Sequence, residues 1–292
     1  MVIASVSGRV TPVAASQGDM VMLGRRIFSA LAALVALCLI HLPAKAQTSP
    51  TAGLVRPGVL TVGTTGSSPP STMIDATGNL VGYDIDFARR VGAALGVPVE
   101  FVRLDFSAML PGLIANRFDM VASSVSRSPE RLAATDFIMS APYLVNGIAV
   151  TRRRGDTRIN GWSDICGMRV GAVRGSVEIQ TARAQLGEAC VVQARDYPGW
   201  TELLLDLENR RIDYLIGNFL TPSYLVSQGR RGIEVLPEPL RITTSGVVIN
   251  GNQRALADRV NALIAEWRQD GTLKELTERW FGSSLDWNLV RE

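Results

Sequence analysis

The stretch that decides the fold reads LIANRFDMVA over residues 113–122, and a similar stretch, LENRRIDYLI, follows over residues 207–216. Each begins as the end of an amphipathic helix, passes through a short polar turn and ends as an apolar strand. The two copies begin 94 residues apart. This repetition favours two similar α/β lobes, although any α/β protein can repeat a helix–turn–strand unit by chance.

The residues before the first copy extend the same alternation. A short strand is predicted over 60–62, a helix over 84–95 and a further strand over 99–102. Apolar residues at helical spacing then predict a second helix over 106–114, with Asp105 as its possible N-cap. This βαβ alternation predicts a sheet flanked by helices, an α/β fold.

The apolar strand in each copy ends in small and polar residues, Ser123 to Ser126 in the first and Gly217-Asn218 in the second. Ligands of open α/β sheets bind beyond the carboxyl ends of the strands. We therefore expect these two strand ends to face each other across a ligand cleft.

Residues 1–46 have the pattern of a cleavable signal peptide. Arg25 and Arg26 precede an apolar run over 27–40, and Ala44-Lys45-Ala46 supplies small residues at a cleavage site before Gln47. The alternative of a membrane anchor is disfavoured because the run is shorter than the roughly 20 residues that span a bilayer. A lipoprotein at Cys38 is disfavoured by Leu37 beside it. The sequence thus predicts a secreted, periplasmic protein.

Removal of residues 1–46 changes the charge and the available chemistry. The segment holds four basic residues and one acidic residue, so the formal charge falls from +3 to zero, and the only histidine, His41, is lost. A near-neutral chain gives no reason to expect nucleic acid as a partner. Without histidine, Ser-His and Cys-His catalysis are excluded and the commonest metal ligand is missing. We expect no cofactor and no metal.

Cys166 and Cys190 are the two cysteines outside the signal peptide. In an oxidising compartment they are expected to form one disulfide. The alternative is a pair of buried free thiols. Because the chain has no C-x-x-C pair, redox catalysis is not predicted.

Five landmarks, taken in order, resemble the polar amino-acid-binding proteins of bacterial ABC importers across nearly the whole chain after the signal peptide. They are GNLVGYDID over 78–86; LPGL over 110–113; SRSPER over 126–131 with Asp136-Phe137; Pro142-Tyr143; and DGTL over 270–273 with Trp280-Phe281-Gly282.

The resemblance implies the two-lobed periplasmic binding protein fold, in which two α/β lobes are joined by two hinge strands and the ligand cleft lies between them. The first lobe would comprise residues 52–146 plus 246–292, and the second residues 147–245. The hinge strands would cross near 148–150 and 246–248, which lets the lobes close around a ligand. A monomer that delivers its ligand to a membrane ABC permease is expected.

The resemblance also implies the site. Arg131 matches the family arginine that binds the ligand carboxylate, a role that suits its planar, permanently charged guanidinium. Ser124 and Ser126 match donors to the same carboxylate. Phe106 would contact the ligand side chain, the alternative being core packing. Arg174 and Ser176 match a turn of the second lobe that offers a polar side chain and backbone amides, although the local length differs by about one residue.

Two departures from the family pattern concern the ligand. The aspartate that accepts from a ligand ammonium aligns with Asn218, and an acidic position near the first strand aligns with Thr65 or Gly66. An amide gives a buried ammonium no countercharge. The ligand is therefore expected to be an unusual amino acid or a small carboxylate without an α-amino group, and the second is favoured.

Two other function classes stay open. An enzyme of the cyclohexadienyl-dehydratase type has the same scaffold, and Glu178 near the second-lobe turn could act as its acid. The chain could also be a sensor that signals through a separate partner. A binding protein without chemistry of its own is the leading interpretation.

Overall fold

The computed structural model describes residues 8–9, 49–230 and 232–282. The signal peptide predicted over 1–46 lies outside the described residues, apart from Gly8 and Arg9. The chain divides into the units Met1–Gln47 and Thr48–Glu292, and the description below concerns the second unit.

The second unit alternates strands and helices as the sequence predicts. The strands among the described residues are β1 (Leu60–Thr64), β2 (Ser67–Ser68), β3 (Thr72–Ile74), β4 (Leu80–Val81), β5 (Val99–Arg103), β6 (Met120–Ser126), β7 (Phe137–Met139), β8 (Leu144–Arg153), β9 (Val170–Val173), β10 (Ala194–Tyr197), β11 (Tyr214–Asn218), β12 (Ile233–Val235) and β13 (Arg241–Asn250). The α-helices are α1 (Tyr83–Leu95), α2 (Met109–Ile114), α3 (Pro129–Leu132), α4 (Glu178–Leu186), α5 (Trp200–Glu208), α6 (Leu220–Ser227), α7 (Arg254–Gln269) and α8 (Thr272–Phe281).

The predicted helix over 106–114 is divided in two. A 3₁₀ turn, Phe106–Ala108, precedes α2. Pro111 has no backbone N–H to donate to the carbonyl of Ser107, so the regular α-helical ladder cannot begin earlier. Asp105 stands before the 3₁₀ turn, but its side chain makes no capping hydrogen bond. The predicted N-cap interaction is therefore wrong.

The main sheet consists of two similar halves. In the first, β1 lies between β5 and β6 in parallel pairing, and in the second β9 lies between β10 and β11 in the same way. Each half continues into an antiparallel long strand, β13 beside β6 and β8 beside β11. We call the half around β1 the first lobe and the half around β9 the second lobe. The predicted repeat thus corresponds to two copies of one βαβαβ arrangement.

One aspartate in each copy accepts hydrogen bonds from distant segments of its own lobe. The buried carboxylate of Asp119 accepts from the Thr61 amide at 2.8 Å, the Val55 amide at 2.7 Å and the Gln253 side chain at 2.7 Å. Asp213, at the same place in the second copy, accepts from the Arg169 amide at 3.1 Å, just before β9. In both lobes the residue before the last parallel strand therefore fixes the start of the central strand.

The two long strands pair with each other where they pass between the lobes. Leu144 to Ile148 of β8 pair with Arg241 to Ser245 of β13. Beyond this segment β8 pairs with β11, whereas β13 pairs with β6 and β7. The mutual pairing thus lies a few residues before the segments predicted for the crossing, 148–150 and 246–248, which pair mainly within one lobe each.

Each lobe has its own apolar core. In the first lobe α1, α7 and α8 pack against β1 and β6, with a second cluster under α2. In the second lobe the clusters lie under α4 and α5. Leu220, at the start of α6, packs against the first-lobe cluster. Among the described residues few apolar side chains bridge the lobes. The two lobes are therefore connected mainly by the hinge strands β8 and β13.

The landmark over 78–86 positions α1. Gly82 has φ 137°, and a Cβ there would lie 2.3 Å from the carbonyl oxygen of Ser71. This close approach lets the amides of Tyr83 and Asp84 donate to Pro70 and Ser71. The first turn of α1 is thereby held against the end of β6, where the site lies.

Cys166 and Cys190 form a disulfide with an S–S distance of 2.12 Å in the second lobe. Among the described residues no helix is long and apolar enough to span a membrane.

Replacement of both cysteines by alanine should lower the free energy of unfolding by about 3 kcal/mol, since the crosslink restricts a loop of 24 residues in the unfolded chain. Urea unfolding of the variant and of the oxidised protein measures the difference. Thiol titration of the unreduced, denatured protein after signal removal should find no free thiol, and two free thiols would contradict the disulfide.

Candidate functional site

Arg131 is buried at the end of β6. Ser128 caps the single turn of α3, its hydroxyl accepting from the Arg131 amide at 3.4 Å, and Pro129 begins the turn. The turn directs the guanidinium back over the strand end, where Nη1 donates to the Ser126 carbonyl at 3.0 Å. Arg131 is 8% exposed, so it is not a surface arginine. Burial lowers its pKa, while Glu178 and Glu130 oppose that shift.

The same guanidinium reaches the second lobe. Nη2 of Arg131 donates to the Gly175 carbonyl at 2.9 Å, in the turn between β9 and α4. Gly175 has φ +78°, and a Cβ there would lie 3.0 Å from Cα of Ser107 in the first lobe. Glycine is therefore required for this approach, and Arg131 directly connects the two lobes.

A cavity that is partly open to solvent lies between the lobes beside Arg131. The predicted strand ends meet there, since residues 123–126 and 217–218 both contribute to its lining. The lining residues are Ser68, Ser71, Phe106, Ser123, Ser124, Ser126, Arg131, Asn146, Val173, Ser176, Val177, Glu178, Trp200, Gly217 and Asn218.

Ser124 lines the cavity, but its hydroxyl has another partner. The residue adopts φ +49°, and its Oγ donates to Oδ2 of Asp84 at 3.0 Å. Tyr143 donates its hydroxyl to Oδ1 of the same carboxyl. Burial raises the pKa of Asp84 to about 7, although both hydrogen bonds oppose the shift. The Ser124 backbone is engaged as well, since its amide hydrogen-bonds to Asp84 and its carbonyl accepts from the Ser245 hydroxyl at 3.1 Å. Ser124 therefore fixes the strand end.

Two aromatic side chains form opposite walls. Phe106 lines the cavity, and its ring centroid lies 5.8 Å from Cζ of Arg131. It also packs against the cluster under α2, so it has the predicted alternative role in core packing, and its contact with a ligand stays a prediction. Trp200, the first residue of α5, packs on Gly217, where a Cβ would lie 2.6 Å from the indole. Its spacing with Leu203 and Leu207 is that of a buried helix stripe, and Trp200 also belongs to the core cluster under α5.

Only one of the two residues predicted for the turn of the second lobe lines the cavity. Ser176 lines the cavity, whereas Arg174 does not and is exposed. The amide of Arg174 donates to Tyr197 at 2.8 Å and prolongs the pairing of β9 with β10. Gly175, not Arg174, is the residue that approaches the first lobe. The predicted binding role of Arg174 therefore finds no support in the cavity geometry.

Asn218 lines the cavity, but its side-chain oxygen accepts from the Thr221 amide at 3.0 Å. This bond places the amide oxygen on the first turn of α6. The acceptor of Asn218 is thus occupied within the protein, and its NH₂ group is the part that a ligand can meet.

Sequence reasoning missed several lining residues, and it considered Glu178 only as a possible acid. Glu178 begins α4, is 7% exposed and faces Arg131 across the cavity. Burial raises its pKa, and hydrogen bonds from Ser176 and nearby amides, together with Arg131, oppose the shift. No pattern pointed to Asn146, since a polar residue within a hinge strand carries no signal of its own.

The cavity offers one guanidinium, one carboxyl, several hydroxyls and two aromatic walls. Arg131 and Glu178 are the titratable groups that line it, and the Ser176 hydroxyl hydrogen-bonds to Glu178. Among the described residues no group of three His, Cys, Asp or Glu side chains could hold a metal ion. The arrangement suits non-covalent binding of a small charged molecule.

The sequence profile of the bacterial extracellular solute-binding proteins, family 3, matches residues 60–283. The L-cystine-binding protein TcyJ of Escherichia coli (strain K12) is 31% identical over 229 residues, which cover 78% of this chain and 84% of that protein.

Solved structures share the fold. An ancestral arginine-binding protein bound to arginine has a TM-score of 0.71 and 29% identity, covering 77% of this chain and 99% of the other. An ancestral amino acid-binding protein described as a precursor of cyclohexadienyl dehydratase has a TM-score of 0.68 and 25% identity, covering 77% and 96%. Both comparisons support the two-lobed fold predicted from the sequence.

Proposed function

Because the chain belongs to family 3 of the bacterial extracellular solute-binding proteins, we propose that it is the ligand-binding component of an ABC importer. It binds an amino acid or a related small carboxylate between its lobes. The observation that carries the proposal is the buried guanidinium of Arg131, which lines the cavity from the first lobe and donates to the Gly175 carbonyl of the second.

The chemistry of the cavity supports this ligand class. A buried guanidinium is a strong bidentate partner for a carboxylate, and Ser126, which also lines the cavity, carries a hydroxyl that can donate a hydrogen bond. Phe106 and Trp200 supply apolar walls for the rest of a small ligand. The related proteins are named for L-cystine and arginine, and both of these molecules carry a carboxylate.

Lobe closure follows from the hinge. Arg131 and Gly175 make a contact between the lobes, and few core residues bridge them, so ligand binding is expected to stabilise the closed arrangement. We assign residues 52–146 plus 246–292 to the first lobe and 147–245 to the second. The separate cores support this division, with Leu220 packing across it.

The protein acts in the periplasm after removal of residues 1–46 and works as a monomer that docks on a membrane permease. The signal pattern around Arg25, Arg26 and Ala46, together with the disulfide, supports export.

An enzyme on this scaffold is the second candidate, favoured by Glu178, a buried carboxyl whose raised pKa suits a general acid. The cavity lining includes no second group suited to act as a base. Binding without chemistry is therefore the better-supported function. An enzyme would release a changed molecule, so NMR of the ligand recovered after prolonged incubation separates the two.

A thermal-shift screen tests the proposed function. Protein recovered from the periplasm of an expressing bacterium should melt several degrees higher with at least one member of a panel of L-amino acids, L-cystine, dicarboxylates and keto acids. The reason is that a ligand which binds the folded state alone stabilises it by mass action. Sugars serve as the control panel. A response to sugars and to no carboxylate would contradict the proposal.

A further inference from the structure

The side chain of Glu178 contains a buried hydrogen-bond acceptor that has no partner in the described part of the chain. One of its oxygens, Oε2, is shielded from solvent and has no hydrogen-bond partner among the described residues. The side chain lines the ligand cavity. A buried polar atom without a partner destabilises the folded protein, so such an atom calls for an explanation.

The protein supplies little to satisfy this oxygen. Arg131 is the cation of the cavity, and its Nη1 and Nη2 groups donate to the carbonyls of Ser126 and Gly175. Burial raises the pKa of Glu178, while the Ser176 hydroxyl, the amides of Val177 and Glu178 and the charge of Arg131 oppose the shift. A cationic ligand group in the cavity would favour the ionised carboxylate and would offer a donor to the unpartnered oxygen.

Asn218 supplies no negative charge for this role, since its side chain is a neutral amide. Its side-chain oxygen accepts from the Thr221 amide at 3.0 Å, and its NH₂ group is a donor that does not bind an ammonium. The other acceptors in the cavity are neutral hydroxyls and the Asn146 amide. Glu178 is thus the group in the lining that can provide a countercharge to a cationic ligand group.

We propose that Glu178 binds the ammonium of the ligand while Arg131 binds its carboxylate, so that the site selects zwitterionic amino acids over carboxylates without an amino group. This inference rests on the proposed function and specifies its ligand class. The countercharge lies on the turn into α4 of the second lobe, whereas the sequence pattern had pointed to the position of Asn218. The amide of Asn218, at the position where the family has an aspartate, therefore does not prevent the site from recognising an amino group.

The assignment is tested by calorimetry on wild type, Glu178→Gln and Glu188→Gln, with L-cystine, L-arginine and L-glutamine as amino-acid probes and 3,3′-dithiodipropionate, which is cystine without its amino groups. Glu188→Gln is the matched control because it removes one negative charge from the same lobe at a side chain that is 83% exposed. Glu178→Gln should weaken the best amino-acid probe at least about 10-fold, as loss of a buried charge partner does. Glu188→Gln should change it less than twofold.

For 3,3′-dithiodipropionate, which has no amino groups, Glu178→Gln is expected to have the opposite effect on affinity. Wild type should bind 3,3′-dithiodipropionate more weakly than L-cystine, and Glu178→Gln should bind the analogue as well as or better than wild type does, since a negative charge beside it is removed. An amino-acid affinity within threefold of wild type in Glu178→Gln, or preference of wild type for the analogue, would overturn the assignment while leaving the proposed function intact. If wild type binds neither these probes nor any carboxylate of the thermal-shift panel, the proposed function itself fails, and this inference with it.

Proton linkage gives a readout that a purely structural role would not change. If an ammonium binds ionised Glu178, ligand binding releases a proton and affinity rises as the pH rises through the raised pKa of Glu178; a ligand without an amino group gives proton uptake and the opposite slope. Arg131 from α3 is the charged group that acts on Glu178, and Glu130 acts on Arg131 in turn. Asp84 from α1, which hydrogen-bonds to Ser124, is another buried carboxyl with a raised pKa. Asp84 is present in both proteins, so the difference in released protons between wild type and Glu178→Gln reports on Glu178. No difference would overturn the assignment.

Discussion

Arg131→Ala should abolish tight ligand binding and leave the fold intact. The change removes the guanidinium that faces a desolvated ligand carboxylate and the direct link from the first lobe to the Gly175 carbonyl. Loss of a buried charged partner costs roughly 2–5 kcal/mol, which corresponds to a weakening of about 30-fold or more. Calorimetry with the best ligand of the screen measures the loss.

Two further variants sharpen this test. Arg131→Lys keeps the charge but loses the planar, bidentate donor, so an intermediate affinity is expected. Arg89→Ala, at a side chain that is 52% exposed on α1, controls for the loss of positive charge. Circular dichroism and thermal unfolding establish that each variant is folded. Binding by folded Arg131→Ala within threefold of wild type would refute the role of Arg131.

Asp119→Ala should cause a large loss of stability. The buried carboxylate accepts from the amides of Val55 and Thr61 and from the side chains of Thr61 and Gln253. Each buried donor left without an acceptor costs about 1–3 kcal/mol, and partial relaxation reduces the sum. We expect the free energy of unfolding to fall by at least about 3 kcal/mol, measured by urea unfolding.

Asp213→Ala is the matched control because Asp213 occupies the same place in the second copy. Its side-chain partners, Arg169 and Arg158, are 40% and 53% exposed, so water can replace the lost carboxylate and a smaller effect is expected. Hydrogen bonds from Arg169 lower the pKa of Asp213 to about 2. Its contribution is therefore present above pH 4 and is lost as the pH falls through about 2. Equal losses in the two variants at pH 7 would contradict this comparison.

The α/β architecture could be predicted because it depends on patterns among residues that are close together in the sequence. Apolar spacing defined α1, α5, β1 and β6 to within a few residues, and the repeated helix–turn–strand unit predicted two similar lobes. The disulfide followed from two cysteines in a predicted secreted chain. The 3₁₀ start of the helix after Asp105 could also have been anticipated, because Pro111 lacks the amide that a regular helix would use there.

The role of the repeated aspartate was not predictable from the same pattern. Asp119 and Asp213 stand out in the repeat, but their partners Thr61 and Arg169 lie 58 and 44 residues away. A one-dimensional pattern shows that the position recurs. Only the fold shows that each carboxylate fixes the start of a central strand.

The residues of the cavity show most clearly what a sequence motif predicts and what only the tertiary structure reveals. Arg131, Phe106, Ser176 and Asn218 could be placed there from motifs, whereas Arg174 was placed there wrongly. In this turn a close approach to Ser107 is possible only for Gly175, and the neighbouring arginine remains exposed. Which residue of a turn faces a cleft depends on the surface opposite, which the turn itself does not encode.

The sequence by itself therefore determined the α/β class, the repeat, the export signal pattern and the placement of Arg131 at the cleft, because spacing and motif are properties of neighbouring residues. The tertiary structure decided that Ser124 bonds to Asp84, that Asn218 uses its oxygen on α6 and that Glu178, which lines the cavity, is buried with one oxygen that has no partner among the described residues. The physical reason is that burial and hydrogen-bond partnership arise only when the ends of strands from two lobes meet, and those partners are far apart in the chain.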